Sequence, residues 1–258
     1  IDLAADFRIK DIAVWEKWYG MKHVAPELVS EAVYGLPEVN RAQIRPARLV
    51  ANPGCYVPAA PLAPAPLAAE GVLKGALVVG LSGVSGAGRE AEGTAFAEVN
   101  ENLKPYKAGG THRHIPEMER NLGRILAQGR RVRTHGEARA VRLSFTPHLV
   151  PMTRGILVTA EAEVEGAWSQ ESLEALYRDF YAGEPFVRVL KGLPETKATL
   201  GSNRVDVRPL YEERTGRVLV FAALDNLVKG MAGQAVQNLN LMLGLPEETA
   251  LPKEGLWP

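Results

Sequence analysis

The chain has 258 residues, of which 46% are hydrophobic and 23% charged, so it can bury a large core in one or two domains. Thirty basic and thirty acidic side chains give a formal net charge of zero, which argues against a protein that binds nucleic acid or a membrane surface. A single cysteine excludes a disulfide framework within the chain, and no apolar stretch is long enough to cross a bilayer. We therefore expect a cytoplasmic protein.

The first predicted element is a short helix. Residues 11–19 carry apolar side chains at helical spacing, with Asp11 as the N-cap and Gly20 as the terminator. The chain begins with Ile1 in a stretch typical of the end of a strand. This start indicates that a further segment precedes Ile1 in the complete protein.

The only cysteine follows a predicted strand over residues 47–51, within the segment Asn52-Pro53-Gly54-Cys55-Tyr56. Pro53 and Gly54 predict a tight turn, and the alanine-rich segment after Tyr56 predicts a helix that its later prolines should kink or interrupt. A thiol at a helix N-terminus is favoured as the thiolate, so we expect the pKa of Cys55 to lie below that of a free cysteine. The alternative is a small buried hydrophobic residue.

A glycine-rich loop over residues 82–89 follows a predicted strand at residues 76–81. Its glycines and serines would let a phosphate or nicotinamide approach the backbone closely. The spacing of Gly83, Gly86 and Gly88 does not give the dinucleotide fingerprint G-x-G-x-x-G. An ordinary glycine turn between two elements is the alternative.

Two histidines, His112 and His114, lie two residues apart just before an amphipathic helix predicted over residues 116–128. An H-x-H pair is common in metal sites, but no cluster of partner ligands is evident in the sequence. A Cys–His couple, in which an imidazole activates the thiol and carries protons, explains the pair better than a surface pair without a role. Glu117 could orient one imidazole or favour the helix N-terminus.

The second half of the chain mixes strands and helices. Ser169 is a predicted N-cap for a helix that reaches Tyr181, and residues 204–209 and 217–224 predict a β-hairpin. The segment 225–235 combines a polar turn with small residues, either for close approach to a ligand or for ordinary capping and helix packing. A last helix is predicted over residues 231–243. This order indicates an α/β start followed by an α+β remainder.

Together, six motifs resemble those of the N-acetyl-γ-glutamyl-phosphate reductase family, in order and spacing, over nearly the whole chain. They are Asp6-Phe7-Arg8, Tyr34-Gly35-Leu36-Pro37-Glu38, Asn52-Pro53-Gly54-Cys55-Tyr56, the loop from Ser82 to Arg89, His112-Arg113-His114-Ile115-Pro116-Glu117 and Asp225-Asn226-x-x-Lys229-Gly230. Two features depart from the family pattern. Val57-Pro58 stands where the family usually has Pro-Thr, and the glycine-rich first turn of the nucleotide-binding half is not in this chain.

The resemblance implies a fold of class α/β plus α+β. Residues 1–53 would be the trailing part of a Rossmann-type nucleotide-binding domain, residues 54–225 a mixed-sheet catalytic and dimerisation domain, and residues 226–258 a C-terminal helix that returns to the nucleotide-binding part. We expect sheet edges or apolar faces of residues 1–53 to be left uncovered.

The resemblance also implies NADPH-dependent reduction of N-acetyl-γ-glutamyl phosphate, a small acyl phosphate, through a cysteine thioester by a homodimer or homotetramer. Carried over residue by residue, the catalytic residues would be Cys55 and His114. The substrate contacts would be His112, Tyr106, Arg8 and Glu117. The contacts of NADP(H) would be Ser82, Gly83, Ser85, Gly86 and Asn226, and no metal is expected.

Four alternatives stay open at the level of the sequence. An aspartate-semialdehyde dehydrogenase typically lacks the Pro53-Gly54 pair before the thiol, and a carrier-linked paralogue of the lysine pathway usually loses it too. A cofactor-independent cysteine hydrolase would use the same Cys–His couple but would not need the motif from Asp225 to Gly230. A binding or structural role would not explain the thiol of Cys55 at its tight turn or the paired histidines.

Overall fold

A computed structural model describes residues 1–87, 96–130 and 141–256, with the side chain of Phe96 left out. Gly88 and Arg89, the end of the predicted glycine loop, lie outside these ranges. Within the described ranges, no helix is long and apolar enough to cross a membrane.

The first part of the chain forms a small parallel β-sheet with helices beside it. Its elements are α1 (Ile12–Tyr19), β1 (Val33–Tyr34), α2 (Pro37–Ile44) and β2 (Val50–Ala51). Strand β1 pairs with β2 in parallel, and Asp2 forms an isolated parallel bridge with Ala51. Helix α1 confirms the predicted caps, because Asp11 accepts a hydrogen bond from the N–H of Val14 and Gly20 has φ 69°.

The segment after Cys55 differs from the sequence prediction. Residues 55–64 form a run of turns, and the helix α3 begins only at Ala65 (Ala65–Glu70). Prolines at 58, 61 and 64 have no N–H to donate, so the helical bonds over this run are intermittent. The predicted interruption by prolines is therefore confirmed, whereas the regular helix begins later than predicted.

A seven-stranded mixed sheet dominates the rest of the molecule. Its strands are β3 (Leu73–Ser82), β4 (Lys104–Pro105), β5 (Arg142–Leu149), β6 (Ile156–Val164), β7 (Val187–Val189), β8 (Val205–Glu212) and β9 (Arg217–Leu224). Their order across the sheet is β4-β5-β3-β6-β9-β8-β7, with β3–β5 and β7–β8 parallel and the other pairs antiparallel. The predicted hairpin is confirmed as β8 and β9.

Helices cover one face of this sheet. They include α3, α5 (Ile115–Ala127) and α6 (Gln170–Phe180); α4 (Phe96–Val99) and α7 (Thr196–Thr199) are short. Helix α6 begins at the predicted cap, since Ser169 accepts from the N–H of Ser172. On strand β3, Val78 is fully buried against the helices whereas its neighbour Leu77 is 51% exposed on the opposite face.

After β9 the chain returns to the first part of the molecule. A π-helical turn (Val228–Ala232) leads into α8 (Gly233–Met242). Leu241 of α8 packs in one apolar cluster with Ile44 of α2 and Val50 of β2, as predicted for the last helix. The amide of Asn238 donates to the carbonyl of Gly35 at 2.9 Å. The sheet and the π-helical turn meet at the turn of residues 52–55 that follows β2, called the elbow below, where Cys55 lies.

Candidate active site

A cleft of about 530 Å³ opens beside Cys55. Aromatic, imidazole and cationic side chains line it, contributed by the first part of the chain, by the turns after β2 and β3, and by the segment before α5. The lining residues used below are Arg8, Tyr19, Cys55, Tyr56, Gly86, Tyr106, Lys107, His112, Arg113 and His114. The cleft thus brings together both predicted catalytic residues and three of the four predicted substrate contacts.

The thiol and an imidazole meet at a glycine. A Cβ atom on Gly54 would lie 2.2 Å from Nε2 of His114, so only glycine lets this ring lie against the chain one residue before Cys55. His114 is the residue directly before α5, and Cys55 follows β2 by four residues. The motif Pro-Gly-Cys therefore has a steric reason, because its glycine makes room for the histidine.

Glu117 lies under the elbow and not in the cleft. Its Oε1 accepts from the N–H of Gly54 at 3.0 Å and from the hydroxyl of Tyr34 at 2.5 Å, and its side chain is 1% exposed. Its Oε2 lies 4.0 Å from Nη1 of Arg8. The structure thus places this predicted substrate contact where it holds the turn before Cys55.

Burial keeps the reactive groups in their neutral forms. It raises the pKa of Cys55 to about 11, while the positive charge of Arg8 opposes this rise. Burial also lowers the pKa of His114 to about 3, helped by the charges of Arg8 and Lys107. The prediction of a Cys55 pKa below that of a free cysteine was wrong, because no regular helix begins at the thiol and the loss of water outweighs Arg8.

His112 is enclosed by aromatic rings. Its ring centroid lies 5.8 Å from that of Tyr56, 5.7 Å from Tyr106 and 5.2 Å from Phe145. Its Nδ1 accepts from the backbone N–H of His114 at 3.2 Å. Burial, and then the neighbouring His114, lower its pKa to about 3. The hydroxyl of Tyr106 donates to that of Tyr56 at 3.3 Å, at the edge of the same aromatic group.

The π-helical turn packs against the backbone of the elbow. A Cβ atom on Gly230 would lie 3.2 Å from the carbonyl oxygen of Cys55, so the two backbones are in contact. The amide of Asn52 donates to the carbonyl of Met231 at 3.0 Å. Asp225 caps the turn by accepting from the N–H groups of Leu227 and Val228. A π-helical turn is uncommon and occurs frequently at functional sites.

The glycine turn after β3 lies on the other side of the thiol. A Cβ atom on Gly86 would lie 3.4 Å from Oγ of Ser82, 3.4 Å from Nδ2 of Asn226 and 4.0 Å from Sγ of Cys55. Asn226 is itself fully buried and holds this turn: its Nδ2 donates to Oγ of Ser85 at 3.0 Å, and its Oδ1 accepts from the N–H of Gly155 at 2.7 Å.

The five predicted cofactor contacts therefore differ in access. Gly86 faces the cleft. Ser82 is buried and donates to the carbonyl of Gly83, which itself lies against the backbone of Thr153 and Arg154. The side chains of Ser85 and Asn226 form a hydrogen bond with each other.

The sequence reasoning gave no role to three residues that line the cleft: Tyr19, Lys107 and Arg113. One signal was available for Lys107, which stands two residues before the pair Gly109-Gly110, a combination typical of a tight turn. Arg113 lies between the two histidines and was quoted only as part of their motif. Within the described ranges, no three His, Cys, Asp or Glu side chains are grouped so that they could hold a metal ion.

Sequence comparisons place the chain among known proteins. Residues 55–226 match the family described as semialdehyde dehydrogenase, dimerisation domain. The chain is 89% identical over 258 residues to an N-acetyl-gamma-glutamyl-phosphate reductase of Thermus thermophilus, covering all of this chain and 74% of that protein. It is 52% identical over 260 residues to the enzyme of the same name from Symbiobacterium thermophilum, covering 99% of this chain and 72% of that protein.

Solved structures agree on the fold. A crystal structure of aspartate semialdehyde dehydrogenase II from Vibrio cholerae matches with a TM-score of 0.65 and 17% identity, over 90% of this chain and 77% of that one. The same enzyme complexed with ASA matches with a TM-score of 0.64 and 19% identity, over 83% of this chain and 69% of that one. These matches confirm the predicted fold class. By its sequence, the chain belongs to the N-acetyl-gamma-glutamyl-phosphate reductase family.

Proposed function

We propose that this chain catalyses the NADPH-dependent reduction of N-acetyl-γ-glutamyl phosphate to the corresponding semialdehyde and phosphate, with Cys55 as the nucleophile. The observation that carries the proposal is that the His114 ring lies against Gly54, one residue before the single thiol, and that both side chains line a cleft that also contains cations. The close relatives named as reductases of this substrate support it.

His114 is the base that activates Cys55. Because burial favours the neutral thiol and the neutral imidazole alike, the resting pair carries no charge. When sulfur attacks the acyl carbon, the C–S bond forms, the C–O bond to phosphate breaks, and the thiol proton passes to the imidazole. Arg8, the cation with the largest effect on Cys55, offsets the negative charge of the departing phosphate.

The face of Gly86 beside the thiol fits the flat ring of a nicotinamide. A Cβ atom there would fill the space between Ser82, Asn226 and Sγ of Cys55, so the missing side chain leaves room for a ring next to the sulfur. NADPH would supply the hydride that reduces the thioester. Gly86 would contact the ring, while Ser82, Gly83, Ser85 and Asn226 shape the turn that carries Gly86. The proton held by His114 is available when the sulfur leaves the product aldehyde.

The remaining predicted residues take supporting roles. His112 fixes the backbone N–H of His114 and packs its ring at 4.7 Å from that of His114, so it sets where the catalytic ring lies. Tyr106 closes the aromatic side of the cleft. Glu117 holds the N–H of Gly54 and lies beside Arg8. We assign it to positioning the elbow and not to substrate contact.

The exposed face of the seven-stranded sheet is the proposed dimer interface. Leu77 is 51% exposed in the middle of β3, in an open depression that also includes Arg142, Glu161 and Arg217. A match to a dimerisation domain over residues 55–226 supports a second copy on this face. Analytical ultracentrifugation of the wild type and of Leu77→Arg tests it, and we expect dissociation in the variant.

The reaction run backwards separates this proposal from its alternatives. The complete protein is mixed with N-acetylglutamate semialdehyde, NADP⁺ and phosphate, and NADPH formation is followed by its absorbance. We expect reduction that requires phosphate and is lost in Cys55→Ser. Activity only with aspartate semialdehyde or only with a carrier-linked aldehyde would favour the two related reductases. Ester hydrolysis without NADP⁺ would favour a cysteine hydrolase.

A further inference from the structure

Two of the cations in the cleft differ from Arg8 in what they contact. Arg8 is occupied by the protein: Nε donates to the carbonyl of Asn52 at 2.7 Å, Nη2 donates to that of Leu3 at 3.0 Å, and Nη1 faces Glu117. Lys107 and Arg113 line the same cleft. In the described part of the chain, neither side chain has a carboxylate partner or donates a hydrogen bond.

The two charges lie close enough to disfavour each other. Partial burial lowers the pKa of Lys107, and the positive charge of Arg113 lowers it further. Neighbouring cations without an anion destabilise a folded protein, so their placement in a cleft calls for a negatively charged ligand.

The backbone holds Lys107 in place at a conformational cost. Lys107 has φ 44°, in the left-handed region that few residues other than glycine adopt, and Gly109 and Gly110 follow with φ 69° and 78°. Such strained positions persist at ligand sites, where the surrounding structure fixes them. This turn sets the direction in which the lysine leaves the chain.

Arg113 is oriented by an aromatic ring. Its guanidinium carbon lies 5.1 Å from the centroid of the Tyr19 ring, and Tyr19 in turn stacks on Trp15 with centroids 4.8 Å apart. A planar guanidinium held in this way can bind a carboxylate through two parallel hydrogen bonds.

The two groups of cations serve different ends of the cleft. Arg8 exerts the largest charge effect on Cys55, whereas Arg113 acts on His112 and Lys107 acts on both His112 and His114. The phosphate leaves from the carbon that Cys55 attacks, so Arg8 lies at the reacting end. A ligand anion between Lys107 and Arg113 would belong to the other end of the same substrate.

We propose that Lys107 and Arg113 bind the carboxylate at the far end of the substrate, and that they select acyl phosphates carrying this second anionic group. The proposal rests on the proposed function and deepens it. Its requirement is geometric: an unpaired lysine on a strained turn and an unpaired arginine over Tyr19, both in the cleft that contains Cys55.

The backward reaction tests this assignment, because the KM for the aldehyde and the KM for phosphate are measured separately in the complete enzyme. In Lys107→Met and in Arg113→Met we expect the KM for N-acetylglutamate semialdehyde to rise about 10- to 100-fold, the usual loss for a hydrogen bond to a charged group. The KM for phosphate and kcat should change less than about threefold. Arg113→Lys should recover part of the affinity, since it restores the charge.

Three controls complete the design. Lys107→Asn removes the charge but suits the left-handed backbone, so it separates charge from strain. Lys253→Met removes an exposed lysine that pairs with Glu248, away from the cleft, and should leave both KM values unchanged. An analogue with a carboxamide in place of the carboxylate should bind wild type and variants equally weakly.

The outcomes separate the two levels of the proposal. A rise in the KM for phosphate, or unchanged KM values in both Met variants of an active enzyme, would overturn the carboxylate assignment alone. A wild type without phosphate-dependent NADP⁺ reduction would overturn the proposed function, and this assignment with it.

Discussion

Two lysines of this chain show how differently its two polar regions use charge. Lys229, in the polar layer between the π-helical turn and α2, is fully buried; its Nζ donates to Glu38 at 2.6 Å and to Gln237 at 2.8 Å. Lys107, in the cleft, has no carboxylate partner among the described residues and lies on a left-handed turn. The layer uses its cation to join two parts of the fold, whereas we propose that the cation of the cleft binds a ligand.

The same contrast holds for the titratable groups. In the layer, cations are paired with carboxylates: Lys229 with Glu38, and Arg41 with both Glu184 and Glu247. In the cleft, burial keeps Cys55 and His114 neutral, and the charge of Arg8 does not outweigh burial at the thiol. We therefore propose that the thiol loses its proton to His114 during the reaction and does not rest as a thiolate.

The largest expected effect is that of Cys55→Ser. We expect aldehyde formation to fall by at least about 10³-fold, because the thioester cannot form. The melting temperature should stay within a few degrees of the wild type, since serine differs by one atom and Cys55 lines the cleft and does not lie in the core. Loss of folding would instead indicate that Cys55 serves as a core residue.

His114→Asn should lower kcat by about 10²- to 10⁴-fold, the usual range for a general acid–base group. His112→Asn should act more on KM, because its ring touches the catalytic ring and the aromatic side of the cleft. Steady-state kinetics on both variants measures kcat and KM separately. Exchanged effects would exchange the roles of the two histidines.

Lys229→Met should destabilise the fold by about 3–5 kcal/mol, because it leaves the buried Glu38 without its counter-charge. Lys107→Met should change the free energy of unfolding by no more than about 0.5 kcal/mol, as expected for a site without partners. Urea unfolding of both variants measures the two free-energy changes. Equal destabilisation would mean that Lys107 also has a structural partner.

The smallest expected effect is a pH dependence from His112. Its pKa is about 3 in the folded chain, whereas an exposed imidazole titrates near its usual 6.5, so between these values the unfolded chain binds more protons. Stability should therefore fall as pH drops below about 6.5, with a slope of up to about 1.4 kcal/mol per pH unit for this group. In His112→Asn the slope should fall by this amount, leaving the similar contribution of His114, and parallel curves for variant and wild type would contradict the burial argument.

Local signals in the sequence were enough for much of the fold. Asp11 and Gly20 bounded α1, Ser169 started α6, and alternating apolar residues gave the hairpin of β8 and β9. These features depend on neighbours along the chain, which is why they could be predicted. The family motifs also named Cys55 and His114, and the fold brings both into one cleft.

Features that depend on partners distant in sequence were not predicted. The pKa of Cys55 follows from burial, and the place of Glu117 follows from Gly54 and Tyr34, which are 63 and 83 residues away. The proposed role of Lys107 and Arg113 follows from the lack of a carboxylate partner among the described residues, and a sequence does not show which charges remain unpaired after folding.

The most direct test of Cys55 as the nucleophile is to trap the thioester. The complete protein is incubated with N-acetyl-γ-glutamyl phosphate in the absence of NADPH, quenched in acid and digested for mass spectrometry. We expect one equivalent of released phosphate and an N-acetylglutamyl group on the peptide that contains Cys55, formed much more slowly in His114→Asn. Phosphate release without this adduct, or an adduct on another residue, would contradict the assignment of Cys55 as the nucleophile.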